Sequence, residues 1–150
     1  MNHLLADIAR VPLLAAAIVV GFAEVARGPA GASDEVYRSS TLEARVQMLQ
    51  GAREHDTTPI DIEVRNTGRE PCDMTVSLSA DWADSFDHVS MTPEPSETWT
   101  VLLEAVAPGE ERLIALELEA GEPGPRVGEV RIVASAGDEL TIPIRTFVAP

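Results

Sequence analysis

The residues best placed to do chemistry are three aspartates that share one short stretch with two aromatic side chains. Asp81, Asp84 and Asp87 are spaced by three, with Trp82 and Phe86 between them. Calcium needs several convergent oxygen ligands and usually a glycine that turns the loop, and no D-x-D-x-D-G run is present. Three interpretations stay open: a solvated acidic loop, a calcium site, or a partner-docking loop in which exposed aromatics lie among acids. We take these five residues as a candidate docking loop and expect no bound metal.

Catalytic and copper-binding arrangements are harder to build from this sequence. The histidines are His3, His55 and His88, and the only cysteine is Cys72. A nucleophile needs a base and an orienting acid within reach, and no G-x-S-x-G motif or neighbouring Cys–His pair suggests one. Cys72, His88 and Met91 follow the order of a cupredoxin copper site, but sixteen residues separate the cysteine from the histidine. We therefore predict a protein that is not an enzyme, has no cofactor and keeps Cys72 as a half-buried, inert thiol.

The charge of the chain argues against one class of partner. The 150 residues carry a net charge of −14, and all eleven basic residues are arginines. Nucleic-acid binding needs basic residues clustered against the phosphates, so nucleic acid is not an expected partner. Hydrophobic residues make up 45% of the chain and aromatic residues only 4%, which predicts a core of Val, Ile, Leu and Ala. The single cysteine excludes an intrachain disulfide.

An uncharged N-terminal run bears on the location of the protein. Residues 11–23 carry no charge, and the window 4–26 is long enough to cross a bilayer, which takes about 20 residues. Three interpretations compete: a retained membrane anchor, a signal peptide cleaved after Ala30-Gly31-Ala32, and a buried soluble helix. We favour the retained anchor, with the acidic domain on the extracytoplasmic side.

This interpretation sets the predicted domain boundaries. Residues 1–27 are a transmembrane or signal-like helix, residues 28–41 a linker rich in Gly, Pro and Ser, and residues 42–150 the folded domain. We expect a single-pass protein of the inner membrane whose C-terminal domain lies in the periplasm or the extracellular space. Small residues at helix surfaces allow close packing against other membrane helices, and here they are Ala15, Ala16, Ala17 and Gly21.

The remaining sequence alternates short apolar segments with turns. Residues Ile60–Arg65 alternate apolar and charged side chains strictly, which is the period of a strand with one buried face. Asn66 and Gly68 end this strand, and both can adopt the positive φ of a tight corner. Similar patterns predict further strands at 42–49, 72–80, 88–91, 98–105, 112–119, 127–134 and 139–147.

For two of these segments, the type of element or its position in the sheet needs a further argument. Leu42–Leu49 also fits a helix with Ser40 and Glu43 as a capping box, and we favour a strand because everything downstream is β. Pro143 indicates that the last strand lies at a sheet edge, where its missing N–H is not needed. Seven or eight short strands, with a turn about every ten residues, predict an all-β, immunoglobulin-like antiparallel sandwich.

Three segments carry a resemblance to a known family. Val64–Gly68 reads V-x-N-x-G, a V-S-L-S strand follows at Val76–Ser79, and Ala107–Glu110 reads A-P-G-E before another alternating strand. Over about residues 42–147 this resembles the bacterial and archaeal immunoglobulin-like modules of the CARDB type. Because these motifs are structural, the resemblance implies a spacer, adhesion or docking domain and no particular chemistry.

The expected function follows from the anchor and the sandwich together. We expect a non-catalytic, membrane-anchored extracytoplasmic β-sandwich that serves as an accessory or scaffolding subunit of a membrane protein complex, such as a photosynthetic or respiratory assembly. Its partners would be the other subunits and, through the N-terminal helix, the lipid bilayer. The alternative is a secreted or surface immunoglobulin-like module for adhesion or carbohydrate binding.

Overall fold

The computed structural model describes residues 32–49 and 51–150, which form a sandwich of two five-stranded sheets. The strands are β1 (Ala32–Arg38), β2 (Leu42–Leu49), β3 (Gly51–Arg53), β4 (Thr57–Asn66), β5 (Cys72–Leu78), β6 (His88–Thr92), β7 (Thr100–Val106), β8 (Glu111–Glu119), β9 (Gly124–Ala134) and β10 (Glu139–Ala149), and one short helix, α1, spans Ala80–Ala83. Sheet A has the strand order β1-β2-β4-β8-β6, and sheet B has the order β3-β10-β9-β5-β7. Apart from the parallel pair β3–β10, all neighbours are antiparallel. The predicted all-β, immunoglobulin-like sandwich is confirmed.

Strand β4 is the centre of sheet A because it is paired on both sides. Ile60, Ile62 and Val64 are completely buried, and Ile62 lies between Val46 of β2 and Ile114 of β8. The charged residues between them face outward, as the strict alternation predicted. Burial of β-branched side chains from neighbouring strands supplies the hydrophobic stabilisation expected of a core poor in aromatics.

Sheet B is built around the C-terminal hairpin. Ile132 of β9 pairs with Leu140 of β10, and Val130 pairs with Ile142, so the predicted facing of these side chains is confirmed. Strand β3 pairs only with Phe147–Ala149, which leaves the rest of β10 with β9 as its one neighbour within the described residues. Pro143 lies on this open side, where its missing N–H breaks no hydrogen bond.

The structure differs from the predicted linker in its C-terminal part. Residues 32–38 are strand β1, which pairs with β2 from Ala32 opposite Leu49 to Arg38 opposite Glu43. The strand escaped detection because two of its inward positions, at 33 and 35, are polar, so no apolar alternation is visible. Strand β3 was also missed, since a three-residue main-chain pairing leaves no side-chain pattern. Leu42–Leu49, by contrast, is the strand that was favoured over a helix.

The turn after β4 is built by a side chain, and the expected backbone geometry is wrong. Neither Asn66 nor Gly68 has a positive φ, whereas Gly109 of the A-P-G-E turn does, at 78°. Asn66 is buried, and its Nδ2 donates hydrogen bonds to the carbonyls of Glu70 (2.8 Å) and Val106 (2.9 Å). Its Oδ1 accepts the amide of Gly68 at 2.9 Å. Because Val106 belongs to sheet B, Asn66 ties the two sheets together.

Each end of the sandwich takes its name from one residue that lies there. The connections 39–41, 67–71, 107–110 and 135–138 lie at the Asn66 end. The connections 54–56, 79–87 and 120–123 lie at the opposite end, where β1 begins and β10 finishes, called the Ala32 end. The predicted N-terminal helix, with Ala15, Ala16, Ala17 and Gly21, lies outside the described residues. Within 32–49 and 51–150, no helix is both long and apolar enough to cross a membrane.

Candidate docking site

The predicted docking loop closes the Ala32 end of the sandwich with its aromatic side chains inside. Trp82 is 1% exposed and Phe86 is 8% exposed. Their ring centroids are 5.0 Å apart at an interplanar angle of 72°, the edge-to-face arrangement that aromatic pairs favour. The exposed aromatics expected at this loop are therefore core residues and are not available to a partner. In a chain with so few aromatics, their burial stabilises the fold where the two sheets would otherwise open.

A glycine in β9 makes room for this closure. A Cβ atom at Gly128 would lie 2.2 Å from Trp82 Cβ and 2.3 Å from Trp82 Cγ, distances that real atoms do not adopt. Next to Gly128, two hydrogen bonds of 3.0 Å join Ser79 and Glu129. The amide of Ser79 donates to the carbonyl of Glu129, and the amide of Glu129 donates to Ser79 Oγ. Strand β9 thus passes directly over the indole.

An arginine that sequence reasoning missed fastens the loop from outside. The Arg126 guanidinium lies 5.7 Å from the Phe86 ring centroid, within the range of a cation–π contact. Its Nε donates to the carbonyl of Ser85 at 3.1 Å, and a terminal nitrogen donates to the carbonyl of Glu122 at 2.8 Å. These contacts join the loop to the β8–β9 connection. No motif around position 126 distinguishes this arginine from the ten others.

The three aspartates of the loop are exposed, and two of them contact different neighbours. Asp84 accepts a hydrogen bond from Trp99 Nε1 at 3.0 Å, and the carboxylate of Asp87 lies against Gly121, where a Cβ would sit 1.9 Å from Oδ2. The part of the chain that the structure describes contains no group of three or more His, Cys, Asp or Glu residues able to hold a metal ion. The convergent oxygens that calcium requires are thus not found at Asp81, Asp84 and Asp87.

Cys72 and His88 lie too far apart to share a copper ion. Cys72 begins β5 opposite Val106 at the Asn66 end, whereas His88 begins β6 opposite Glu119 at the Ala32 end and in the other sheet. Strand β5 runs from one end to the other in seven residues and spans roughly 20 Å at the usual rise per residue. Burial, with a smaller effect from the Asp73 carboxylate, raises the pKa of the Cys72 thiol, which keeps it protonated and unreactive.

The outer face of sheet A carries an ordered pattern of charge. Arg38, Glu43, Arg65 and Glu111 are paired in one row across β1, β2, β4 and β8, with alternating sign. The Arg38–Glu43 ion pair measures 2.6 Å and the Arg65–Glu111 pair 3.8 Å. Beside them, a hydrogen bond from Arg45 lowers the pKa of Asp34. Exposed pairs of this kind contribute little stability each, so the shallow groove of about 330 Å³ between them is a solvated face.

The outer face of sheet B carries an exposed apolar patch near the Ala32 end. Val127 is 66% exposed and Phe147 is 55% exposed, the two highest values among the large hydrophobic residues described. Phe147 pairs with Pro125, and Val127 pairs with Arg145. We call these four residues the Phe147 patch; they line a groove of about 460 Å³. The alternation of Leu140, Ile142 and Ile144 already implies that 147 faces outward, so this patch could have been found from sequence.

Comparison with known proteins finds likeness in fold only. No family model matches the chain, and no curated protein matches it. Among solved structures, the cupredoxin domain of amoB from Nitrosocaldus yellowstonii aligns with a TM-score of 0.52 at 10% identity, covering 75% of this chain and 90% of that one. A FixG-related protein from Vibrio parahaemolyticus has a TM-score of 0.50 at 11% identity, covering 75% and 100%. A lipoprotein from Bacteroides thetaiotaomicron has a TM-score of 0.50 at 14% identity, covering 75% and 84%.

These neighbours place the chain among β-sandwich domains. Identities of 10–14% carry fold and no function. The likeness to a cupredoxin domain does not extend to copper chemistry, since Cys72 and His88 occupy opposite ends of the sandwich. The fold is thus an immunoglobulin-like β-sandwich.

Proposed function

We propose that this protein is a non-catalytic accessory or scaffolding subunit of a membrane protein complex, possessing a CARDB-type sandwich held on the extracytoplasmic side of the inner membrane by residues 1–27. The supporting observation is where the folded domain begins. Strand β1 starts at Ala32 and is paired with β2 along its whole length. Only residues 28–31 then separate the sandwich from the apolar segment.

This short connection constrains the position of the domain. Four extended residues span at most about 14 Å. An anchored domain would therefore sit against the membrane surface with its Ala32 end toward the bilayer, since only four residues of the predicted linker precede β1. A subunit held this closely presents its sheet faces to whatever membrane proteins surround it, which suits a scaffolding role in a photosynthetic or respiratory assembly.

The chemistry of the described residues is in keeping with this role. His88 and Cys72 lie at opposite ends of the sandwich, and Asp84 and Asp87 of the 81–87 loop contact different neighbours. Beyond its three ion pairs, the outer face of sheet A carries Asp61, Glu63, Glu117 and Glu119, and this acidic surface disfavours nucleic acid as a partner.

One observation favours the alternative of a secreted or surface module for adhesion or carbohydrate binding. The predicted cleavage site after Ala32 coincides with the first residue of β1. Cleavage would therefore remove only one strand residue from the sandwich that it releases. The two functions differ in the fate of residues 1–31, which makes them separable by experiment.

The deciding experiment is purification of the tagged protein from native membranes, followed by intact-mass measurement and identification of co-purifying proteins. We expect a chain that retains residues 1–27, resists extraction by alkaline carbonate and elutes with a larger assembly. A mature chain that begins at Ser33 and appears in the soluble fraction would instead establish the secreted module. A retained chain that elutes alone would refute the scaffolding role while leaving the anchor intact.

A further inference from the structure

We propose that the Phe147 patch rests on the lipid surface, with its apolar side chains at the headgroup boundary and Arg145 at the lipid phosphates. This inference rests on the proposed membrane anchor and adds to it the orientation of the domain. It is drawn from the position of the patch, its composition and the charges around it.

The patch joins Val127 and Phe147, the two most exposed large apolar side chains among the described residues. Val127 and Phe147 are diagonal neighbours on β9 and β10, with Pro125 directly opposite Phe147. Elsewhere on the surface, Val36 and Leu113 stand at the two ends of a row that has Arg45 and Glu63 between them. A contiguous apolar surface rimmed by polar groups marks an interaction site, whereas isolated apolar residues need no explanation.

The charges around the patch suit an anionic surface. Arg145 lies beside Phe147 on the outer face, and Arg53, paired with Ala149, lies on the same face beyond it. Neither arginine forms an ion pair within residues 32–49 and 51–150. Glu129 lies opposite Pro143 on the neighbouring strand, and Glu54 and Asp56 lie in the turn after β3. An unpaired arginine in the patch, with a second beyond it, is unusual on a chain of net charge −14.

The path of the chain selects lipid over a protein partner. Ala32, where the chain leads back to the apolar segment, pairs with Leu49, and Gly51 two residues later pairs with Phe147. The patch and the connection to residues 1–31 therefore share the Ala32 end. With a tether of at most about 14 Å, this is the region of the domain that reaches the bilayer first.

The energetics match a reversible contact. Each arginine near an anionic membrane surface strengthens binding about fivefold, which corresponds to about 1 kcal/mol. The acidic outer face of sheet A is repelled by the same surface, so attraction and repulsion together tilt the domain with sheet B toward the lipid.

The test uses the full chain in nanodiscs of phosphatidylethanolamine and phosphatidylglycerol. In a Cys72→Ala background, a single cysteine replaces Val127 and carries an environment-sensitive fluorophore; a second protein carries the label at Thr67, at the Asn66 end. Lipids with a nitroxide on the acyl chain quench emission only at short range. We expect quenching at position 127 and none at 67. Arg145→Glu should reduce the docked-to-free ratio at 127 at least fivefold, and Arg145→Lys should preserve it.

The outcomes separate this inference from the proposed function. If the protein incorporates into nanodiscs but the label at 127 is as free of quenching as the label at 67, the lipid contact is refuted and the anchor stands. If the protein does not incorporate at all, the anchor is refuted and the inference with it. If 127 is shielded from aqueous iodide in native membranes but not in nanodiscs, a protein partner covers the patch and the lipid assignment is wrong.

Discussion

Replacement of Asn66 by alanine should be among the most damaging single changes in this protein. The side chain is fully buried and makes three hydrogen bonds, to the carbonyls of Glu70 and Val106 and from the amide of Gly68. Glu70 is exposed and Gly68 is half-buried, so water can replace the asparagine at those two groups. Val106 is completely buried, and its carbonyl would be left without a donor.

The expected cost can be worked out from these three groups. The two replaceable bonds contribute about 1 kcal/mol each, and an unsatisfied buried carbonyl costs about 1–3 kcal/mol. Asn66→Ala should therefore lower the free energy of unfolding by about 3–5 kcal/mol, a large fraction of the 5–15 kcal/mol typical of a domain. For a domain of this size, the melting temperature should fall by roughly 10 °C or more.

The assay is equilibrium unfolding of the full chain by urea in a non-ionic detergent, followed by the fluorescence of Trp82 and Trp99. Thr67→Ala is the matched control, since Thr67 is the exposed neighbour and its removal should change stability by about 0.5 kcal/mol at most. Asn66→Asp keeps the acceptor, loses both donors and buries a charge opposite two carbonyl oxygens. It should be less stable than Asn66→Ala at neutral pH and should recover on acidification, because burial raises the pKa of such a carboxyl group. Equal stability of Asn66→Ala and Thr67→Ala would refute the reasoning.

Three further predictions address the rest of the fold. Gly128→Ala should destabilise the protein by about 1–3 kcal/mol in urea unfolding, because the new methyl overlaps Trp82, whereas Gly51→Ala, which meets open space, should be nearly neutral; equal effects would mean that β9 does not press on the indole. Burial alone raises the pKa of Asp138, but hydrogen bonds from Ser39, Thr41 and the amide of Glu139 outweigh it, and the net pKa lies below its ordinary value. A lowered pKa in the folded state gives stability that is present above the unfolded pKa of about 3.9 and is lost as the pH falls further. The stability difference between wild type and Asp138→Asn should therefore be constant from pH 5 to 7 and shrink below about pH 4. A difference that persists unchanged at pH 2 would contradict this prediction. Alkylation of Cys72 at pH 8 should be much slower in the native protein than in urea, and equal rates would show that the thiol is not held protonated by burial.

The fold was accessible from sequence wherever one sheet face is buried and the other is wet. The alternation at Ile60–Val64 and in the C-terminal hairpin indicated both strand type and facing, since a period of two leaves no other arrangement. Strand β1 was hidden because its inward residues include Ser33 and Glu35. Its pairing depends on main-chain bonds to β2, and these leave no trace in residue type.

The candidate site was harder, because the same residues could be placed inside or outside. The pattern of Trp82 and Phe86 among three aspartates fits two structures equally well. One is an exposed loop, and the other is a loop that closes the sandwich with its aromatics buried and its acids facing water. Two features decide between these structures. Gly128, forty-six residues from Trp82, has no side chain, and Arg126 contacts Phe86. Both are long-range contacts that no local pattern encodes. Phe147 was the opposite case, because the alternation of inward and outward positions along β10 already placed its side chain on the outer face of the sheet.

The two ends of the sandwich are stabilised in different ways, and this difference bears on orientation. The Asn66 end is cross-linked by polar side chains: Asn66 joins β4 to β7, and Asp138 accepts from Ser39 and Thr41 across the sheets. The Ala32 end is closed by buried aromatics and leaves Phe147 exposed beside them. A headgroup region tolerates an apolar rim but competes for exposed polar links, because water and phosphates offer alternative hydrogen bonds. The end that tolerates lipid is also the end from which the chain leads to residues 1–31, so packing and connectivity independently favour the orientation that we propose.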